Sequence, residues 1–349
     1  MHKKWDWILF LLILGLGSIS LLVIFSINRT LAINQLIFWV IGLFILFSVS
    51  FLDYKNWQKL SLPFYLLALF FLSLLFLIGE PIRGSIRWID LGIFRFQPSE
   101  VAKIASILVL STFYLGRSAK EIKNVVISFL IILPAIILIL IQPDIGNTLA
   151  FLGIWLGLSL FRGFKFRYLF TLAVLGCLSL FLIYHFLPTY QQARIDSFLN
   201  PNADPLGTGY NILQSKIAVG SGEFFGKGLG QGSQSQLKFL PEAESDFIFA
   251  SIAEQLGFLG SIILLILYAT LITKIIRFAK NYDGFAQLIL IATTSYLLIQ
   301  FFVNVGMNMG LTPITGITLP LISYGGSSLI STLFILGIVF SIKRSRFLD

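Results

Sequence analysis

A cluster of carboxylates stands directly before an apolar run in the second half of the chain. Glu242, Glu244 and Asp246 lie close together, and the residues after Asp246 are apolar enough to enter a membrane. A carboxylate that is half in water and half against a wall of low dielectric is suited to accept a proton as a general base. Asp is also a favoured helix N-cap. From these residues alone, both interpretations of Asp246 stay open.

The apolar run after Asp246 carries small residues on one predicted helix face. These are Ala250, Ala253, Gly257 and Gly260. Small side chains on a helix surface allow another segment to approach closely. The pattern therefore predicts a continuous helix with a close neighbour on that face.

The composition indicates an integral membrane protein. Of the 349 residues, 57% are hydrophobic and 12% are charged, whereas soluble domains carry roughly 25% charged residues. One cysteine, Cys177, excludes an intrachain disulfide, and only two histidines, His2 and His185, are present. Clustered His/Cys metal sites and His-activated nucleophiles are therefore not expected. In a membrane chain the net charge of +9 indicates topology rather than a nucleic-acid partner.

Apolar runs long enough to cross a bilayer of about 30 Å recur along the whole chain. They predict an all-α integral membrane protein with ten transmembrane helices in a single domain, 1–349. The first run follows a short basic N-terminus and is read as an uncleaved span. The ten runs are 7–27, 31–52, 60–78, 98–115, 122–141, 145–161, 168–187, 247–276, 285–305 and 321–342.

The distribution of charge predicts which side of the membrane each connection occupies. Lys and Arg cluster in every even-numbered connection and at both ends, which places both termini in the cytoplasm. Most acidic residues fall on the opposite side. Three outer connections, 79–97, 188–245 and 306–323, are long enough to suggest function. The largest lies between predicted helices 7 and 8, and a short amphipathic helix at the membrane interface is expected at 210–219.

Ionisable residues inside predicted spans are functional suspects, because burying them in a membrane is costly. Glu100 and Lys103 fall in the first two turns of the fourth span and are spaced to pair, after Pro98 at a favoured first helical position. A neutralised structural pair is the alternative. Asp144 is either functional or the cap of the sixth span, and the partner of Glu254 is not evident from the sequence.

Several long motifs then combine into one pattern. The chain resembles the SEDS family (shape, elongation, division and sporulation) of polytopic peptidoglycan glycosyltransferases. Within it, FRFQPSE, NPNADPLGTGYNI and GKGLGQGSQSQLKFLPE resemble the RodA branch, the elongation enzymes, more than the FtsW branch. The motifs are RGSIRWIDLGIFRFQPSEVAK at 83–103, QPDIGNTLAF at 142–151, RIDSFLNPNADPLGTGYNILQSKIAVGSG at 194–222, FFGKGLGQGSQSQLKFLPEAESDFIFASIAEQLGFLGS at 224–261 and NVGMNMGLTPITGITLPLISYGGSS at 304–328.

The chain departs from the family pattern at two places near Asp246. The family often has a His or an Arg-His-Thr before the key Asp, and a Glu-Glu pair in the next span. Here those positions read Ala243-Glu244-Ser245 and Glu254-Gln255. The additional acid Glu244 is expected to alter the local charge without removing the motif.

The resemblance implies polymerisation of lipid II, an undecaprenyl-diphosphate-linked disaccharide pentapeptide, on the outer face of the bacterial cytoplasmic membrane. Carried over by motif, Asp246 is the catalytic residue, and Glu100, Lys103 and Trp88 match functionally important positions. The resemblance also implies ten transmembrane helices. The implied partners are a class B penicillin-binding protein, which is a transpeptidase, and the elongation complex.

The chemistry of such a transfer indicates which further residues to examine. An α-linked diphosphate donor and a β-linked product require inversion, for which one carboxylate suffices as the base. The leaving diphosphate needs cationic stabilisation, either from a divalent cation such as Mg²⁺ or Mn²⁺ or from side chains. Single surface cations are often only topology signals. The candidate side chains are Arg83, Arg87, Arg194, Lys103 and Lys216.

Two other functions remain as alternatives. A lipid II flippase would use Glu100 and Lys103 in gating or proton relay. It would not explain why acidic and basic groups gather on one outer face. A non-catalytic scaffold for a transpeptidase would tolerate Asp246→Asn, since an amide can also cap a helix.

Overall fold

The computed structural model of the chain describes residues 5–79, 87–90, 92, 95–168, 171, 174 and 189–345. The described part is built almost entirely of helices, with one small hairpin of strands β1, Ile89–Asp90, and β2, Arg95–Phe96. The helices are α1 Trp7–Ile27, α2 Arg29–Phe51, α3 Tyr54–Ile78, α4 Pro98–Tyr114, α5 Ile122–Ile141, α6 Ile145–Phe161, α7 Thr189–Leu199, α8 Tyr210–Ser221, α9 Ser233–Gln236, α10 Ile248–Ala279, α11 Gly284–Asn308 and α12 Gly326–Ser345.

The all-helical membrane fold that the apolar runs predict is confirmed. Within the described residues, seven helices are long and apolar enough to cross a bilayer: α1, α2, α3, α5, α10, α11 and α12. The shorter helices α4 and α6 coincide with the predicted fourth and sixth spans. Most of the predicted seventh span, 168–187, lies outside the described residues, so the total of ten stays a prediction.

Local signals explain several helix ends. Asp6, Asn28 and Asp53 each precede a helix and accept hydrogen bonds from its first-turn amides, as favoured N-cap residues do. Pro98 opens α4 at its first turn, where its missing N–H costs nothing. Asp144 caps α6, because its Oδ1 accepts from the Asn147 amide at 3.0 Å. The capping interpretation of Asp144 is therefore confirmed.

Both ends of the described chain lie on the same side of the helical bundle. The indole of Trp5 stacks on the ring of Phe340, with centroids 4.4 Å apart. Beside them, the Lys274 ammonium lies 2.9 Å from the Asp6 carboxylate at the start of α1. This side carries the basic connections, as expected for the cytoplasmic face.

The long helix α10 is not continuous, which corrects the prediction of an unbroken helix face. At Gly257 the backbone leaves the helical region, with φ 67° and ψ −164°. The glycine-rich segment 222–228 inserts at this break. The amides of Lys227 and Gly228 donate to two carbonyls just before it, Glu254 O and Gln255 O, each at 3.0 Å. Phe258 and Leu259 after the break donate to carbonyls of the same segment. The small-residue pattern therefore marks a close approach by the chain's own loop.

The tenth predicted span begins later than the sequence indicates. Helix α12 starts at Gly326 rather than near Leu321, because the preceding residues bond to other segments. The Tyr324 amide donates to Glu244 O at 2.8 Å, and the Gly325 amide donates to Gln35 Oε1 at 3.3 Å. The third outer connection is thereby tied to the turn that carries Asp246.

Helix α8 occupies the position predicted for a short helix in the large outer connection. It packs against α10 and α11, and its Ser215 hydroxyl donates to Asn308 O at 2.8 Å. It is therefore docked on the helical bundle, whereas the sequence predicted only that it lies at the interface.

Candidate active site

Asp246 lies in a run of tight turns immediately before α10. Residues 241–247 are all in turns, and the amides of Ser245 and Phe247 both donate to Glu242 O at 3.1 Å. Glu242 itself has a positive φ of 55°. The Asp246 side chain is partly exposed, whereas the helix that follows is buried. The turn therefore presents a carboxylate at the edge of the buried region.

Asp246 is not the N-cap residue of α10, as the capping interpretation requires. The N-cap of α10 is Phe247, which has no side chain able to accept a hydrogen bond. The amide of Ala250 in the first turn is satisfied instead by Asn308 Oδ1 of α11, at 3.0 Å. Because another helix supplies this acceptor, the first turn of α10 does not depend on the Asp246 carboxylate for it.

The Asp246 carboxylate faces the third outer connection. A Cβ placed on Gly316 would lie 3.5 Å from Asp246 Oδ2, so the backbone of the loop passes directly beside the carboxylate. The same loop presses on the start of α6, where a Cβ on Gly146 would meet Thr315 O at 2.9 Å. These contacts bring the 241–247 turn, the 315–317 loop and the start of α6 together at one end of the bundle.

Arg87 and Asp144 form an ion pair at this end of the bundle. Arg87 Nε lies 3.6 Å from Asp144 Oδ2, and the guanidinium also donates to the carbonyls of Gln142 and Pro143. The guanidinium therefore fastens the first outer connection to the start of α6. This geometry gives Arg87 a structural task in addition to the phosphate-binding role that the sequence predicts.

Glu100 and Lys103 pair as their spacing predicts. Lys103 Nζ lies 2.8 Å from Glu100 Oε1, with both side chains buried, and 5.5 Å from the centre of the Tyr296 ring. Glu100 Oε2 is buried and has no hydrogen-bond partner within the part of the chain that the structure describes. Next to the pair, Ser99 accepts a hydrogen bond from Asn147 of α6. The pair therefore lies on α4 next to the residue that contacts the start of α6.

Of the remaining predicted substrate-binding residues, the structure describes the side chains of Trp88 and Lys216. Arg83 and the side chain of Arg194 lie outside the described residues. Trp88 is partly buried just before β1. Lys216 is exposed on α8 and lies against Gly310, since a Cβ there would meet its Nζ at 2.8 Å. Their roles stay predictions.

A metal site made of protein ligands alone does not fit these residues. Within the described ranges, no group of three or more His, Cys, Asp or Glu side chains converges. Mg²⁺ is usually held by one or two carboxylates together with substrate phosphates. A divalent cation, as expected from the sequence, would therefore be held together with the phosphates of the bound substrate.

Sequence reasoning missed the polar residues that hold the Asp246 turn from neighbouring helices. Asn304 and Asn308 both donate to Asp246 O, at 3.1 and 3.0 Å. Gln35 of α2 donates to Ser323 O at 3.1 Å, and the Ser323 hydroxyl donates to Ser245 O at 2.7 Å. The available signal was a pair of asparagines four residues apart in an apolar helix.

The family described as "Cell cycle protein", which groups FtsW, RodA and SpoVE, matches residues 4–347. The chain belongs to this family. It is 39% identical to "Peptidoglycan glycosyltransferase MrdB" of Escherichia coli K12, over 84% of this chain and 79% of that protein. It is 36% identical to "Probable peptidoglycan glycosyltransferase FtsW" of Wigglesworthia glossinidia brevipalpis, over 96% and 92%.

Solved structures agree with the fold. A chain from a structure titled "Structural coordination of polymerization and crosslinking by a peptidoglycan synthase complex" matches with a TM-score of 0.87 and 32% identity, over 99% of both chains. Thermus thermophilus RodA matches with a TM-score of 0.76 and 29% identity, also over 99% of both chains. With its apolar helices, this SEDS protein is a multi-pass protein of the cytoplasmic membrane.

Proposed function

We propose that this SEDS protein is a peptidoglycan glycosyltransferase that polymerises lipid II into β-1,4-linked glycan strands on the outer face of the cytoplasmic membrane. The observation that carries the proposal is the placement of Asp246. Two asparagines hold its main-chain carbonyl, and its carboxylate faces the third outer connection. The relatives named as peptidoglycan glycosyltransferases support the reaction class.

The level of Asp246 along the membrane normal suits a lipid-linked substrate. Lys274, beside Asp6 on the basic side, is separated from Asp246 by 28 positions. Helix α10 between them is long and apolar enough to cross a hydrocarbon core of about 30 Å, so Asp246 would lie at the membrane surface opposite Lys274. A diphosphate attached to a prenyl tail occupies this headgroup layer.

Asp246 is proposed to act as the general base of an inverting transfer. The hydroxyl oxygen of the acceptor sugar forms a bond to the anomeric carbon of the donor, and the bond from that carbon to the diphosphate oxygen breaks. The hydroxyl proton passes to the Asp246 carboxylate, and undecaprenyl diphosphate leaves. The negative charge that develops on the diphosphate would be stabilised by nearby cationic side chains, for which Arg87 and Lys216 are candidates among the described residues.

We further propose a role in cell elongation with a transpeptidase partner. The three sequence stretches that resemble the RodA branch support elongation, although relatives named MrdB and FtsW have similar identities to this chain. The structure whose title describes coordinated polymerization and crosslinking supports a partner that crosslinks. A class B penicillin-binding protein supplies that chemistry.

The flippase alternative is favoured by one observation, the buried Glu100–Lys103 pair. Intramembrane ionisable pairs are common in transport pathways. In the flippase alternative, Asp246→Asn would leave lipid II translocation between leaflets intact, because Asp246 would have no proton to accept. The scaffold alternative likewise predicts a tolerated Asp246→Asn.

The deciding experiment compares polymerisation of labelled lipid II by the purified protein and by Asp246→Asn, each with its transpeptidase partner. We expect the variant to lose on the order of 10²- to 10⁴-fold in rate, as for removal of a general base. Thermal unfolding of both proteins, measured alongside, separates a loss of folding from a loss of chemistry. Equal rates would refute the base assignment. If neither protein polymerises although the partner is bound, a translocation assay in liposomes would test the flippase alternative.

A further inference from the structure

Two buried asparagines on the outer end of α11 contact the main chain of Asp246. Asn304 and Asn308 lie four residues apart, on one helix face, and the side chains of both are fully buried. They belong to an otherwise apolar helix that spans the membrane. An unsatisfied amide at such a depth is strongly unfavourable, so the partners of these amides identify their task.

Every donor of the two carboxamides is used on the 241–247 turn and its surroundings. Asn304 Nδ2 donates to Asp246 O at 3.1 Å and to Ile317 O at 2.7 Å. Asn308 Nδ2 donates to Asp246 O at 3.0 Å and to Asn304 O at 2.8 Å. Asp246 O therefore receives two hydrogen bonds from α11, which together fix the direction of this carbonyl.

Asn308 also replaces a hydrogen bond that a regular helix would contain. In an α-helix the Ala250 amide would donate to Asp246 O, four residues earlier. Here the Ala250 amide donates to Asn308 Oδ1 at 3.0 Å, while Asp246 O accepts from Asn308 Nδ2. One carboxamide thus lies between the two groups and satisfies both. It keeps Asp246 outside the helix, in the turn that presents its carboxylate to the 315–317 loop.

We propose that Asn304 and Asn308 are positioning residues that hold the Asp246 carboxylate at the angle required for proton transfer. This inference rests on the proposed function. Fixing the carbonyl fixes the backbone of Asp246 and hence the direction of its Cβ. Misplacing a catalytic group by about 1 Å can cost on the order of 10²-fold in rate. A side chain that both donates and accepts is required at position 308, which a carboxylate or an aliphatic residue cannot supply.

The same asparagine connects the turn to the large outer connection. The Ser215 hydroxyl of α8 donates to Asn308 O at 2.8 Å, and Asn304 binds Ile317 O of the third outer connection. The two asparagines therefore join three outer segments around the residue that is proposed to do the chemistry.

The test uses Asn308→Asp, which keeps an acceptor for the Ala250 amide and removes the donor to Asp246 O. Gln287→Glu is the matched control, because Gln287 lies at the other end of α11 and donates to Ala279 O at 2.9 Å. With lipid II and the partner present, we expect Asn308→Asp to lower kcat on the order of 10- to 100-fold. KM for lipid II should be unchanged, as when an interaction acts on the chemical step. Gln287→Glu should keep the wild-type kcat.

A second measurement does not depend on activity. Hydrogen exchange of the peptide covering 244–252 should be faster in Asn308→Ala than in wild type, because the Ala250 amide loses its acceptor. Asn308→Asp, which keeps an acceptor for that amide, should exchange less rapidly than Asn308→Ala.

The outcomes separate this inference from the proposed function. If wild type polymerises lipid II and Asn308→Asp is folded with an unchanged kcat, the positioning role is wrong. If kcat fell equally in Asn308→Asp and Gln287→Glu, the positioning role would also be overturned, since the loss would reflect general destabilisation. If wild type makes no glycan, the proposed function fails. In that event hydrogen exchange alone decides: unaltered exchange in Asn308→Ala overturns the inference, and faster exchange supports the clamp.

Discussion

Asp246 and Glu254 are two carboxylates at the outer end of the same helical segment, and the chain treats them in opposite ways. Glu254 is fully buried, and its two oxygens accept from the Lys227 ammonium, the Gln234 and Ser235 amides and two serine hydroxyls. Asp246 is partly exposed, and the group that receives two hydrogen bonds from α11 is its main-chain carbonyl.

The two acids differ in which of their groups is held by hydrogen bonds. In Glu254 the carboxylate is the anchor: it caps the short helix α9 from outside, because the Gln234 and Ser235 amides belong to that helix's first turn. In Asp246 the anchored group is the main-chain carbonyl, and the carboxylate lies beside the Gly316 backbone in the third outer connection. The first arrangement stabilises a fold, whereas the second would, in the proposed function, orient a proton acceptor.

A third acid, Glu100, is held through its carboxylate, as Glu254 is, and removing its partner should have the largest effect on stability. Its partner Lys103 is buried with it, so Lys103→Met would leave a buried carboxylate without its cation. We expect a loss of about 3–5 kcal/mol in the free energy of unfolding, measured by thermal or denaturant unfolding in detergent. Removing both charges, with Glu100→Gln and Lys103→Met together, should restore most of that stability.

The double variant separates structure from function at this pair. The resemblance to the SEDS family implies a functional role, so we expect the restored protein to remain inactive in lipid II polymerisation. Wild-type polymerisation by the double variant would show instead that the pair is only a neutralised structural element.

Glu254→Gln addresses the comparison directly. A carboxamide would turn its NH₂ group toward an amide N–H of Gln234 or Ser235, which leaves at least one donor without an acceptor. Each unsatisfied buried group costs about 1–3 kcal/mol, so we expect a loss of about 2–4 kcal/mol in stability. The rate per folded molecule should fall far less than in Asp246→Asn. Thermal unfolding and polymerisation of both variants in the same detergent would check this.

The two isosteric changes are controls for each other. Both replace a carboxylate by a carboxamide on the same segment, one expected to affect rate and the other stability. If Glu254→Gln unfolded like wild type and yet lost polymerisation as completely as Asp246→Asn, Glu254 would belong to the reaction and the comparison would fail.

The features that the sequence predicted correctly are local. The apolar runs, Pro98 at the start of α4, the Asp144 cap and the Glu100–Lys103 pair each depend on residues within about one helical turn or one span. The partners of Glu254 and the insertion of Asn308 into the first turn of α10 depend on residues far away in the chain. No periodicity or spacing encodes such contacts, because they are created only when the helices pack.

The break in α10 falls between these two cases. Gly257 was correctly associated with a close approach, but small residues on a helix face usually admit another helix. Here the approaching segment is a loop whose amides and carbonyls replace the helical hydrogen bonds on both sides of the break. The glycine predicts that another segment approaches closely, but it does not predict which segment this is.

Gly257→Ala should therefore loosen the connection between the Glu254 anchor and the rest of α10. A Cβ at this position would lie 2.2 Å from Gly226 N, on a backbone with φ +67° that side chains rarely adopt. We expect a loss of about 2–3 kcal/mol from backbone strain and overpacking, measured by thermal unfolding. Hydrogen exchange should rise in residues 222–228 and 254–259, which bond to one another across the break.

Gly220→Ala in α8 is the matched control, because a Cβ there meets nothing within 4 Å. Within a helix this change is favourable by about 0.5–1 kcal/mol, so the two glycine variants should move the unfolding transition in opposite directions. Equal stability of Gly257→Ala and wild type would mean that α10 can run straight without the inserted segment. The fully satisfied Glu254 would then not be needed to hold the loop in place, and its contrast with Asp246 would lose its physical basis.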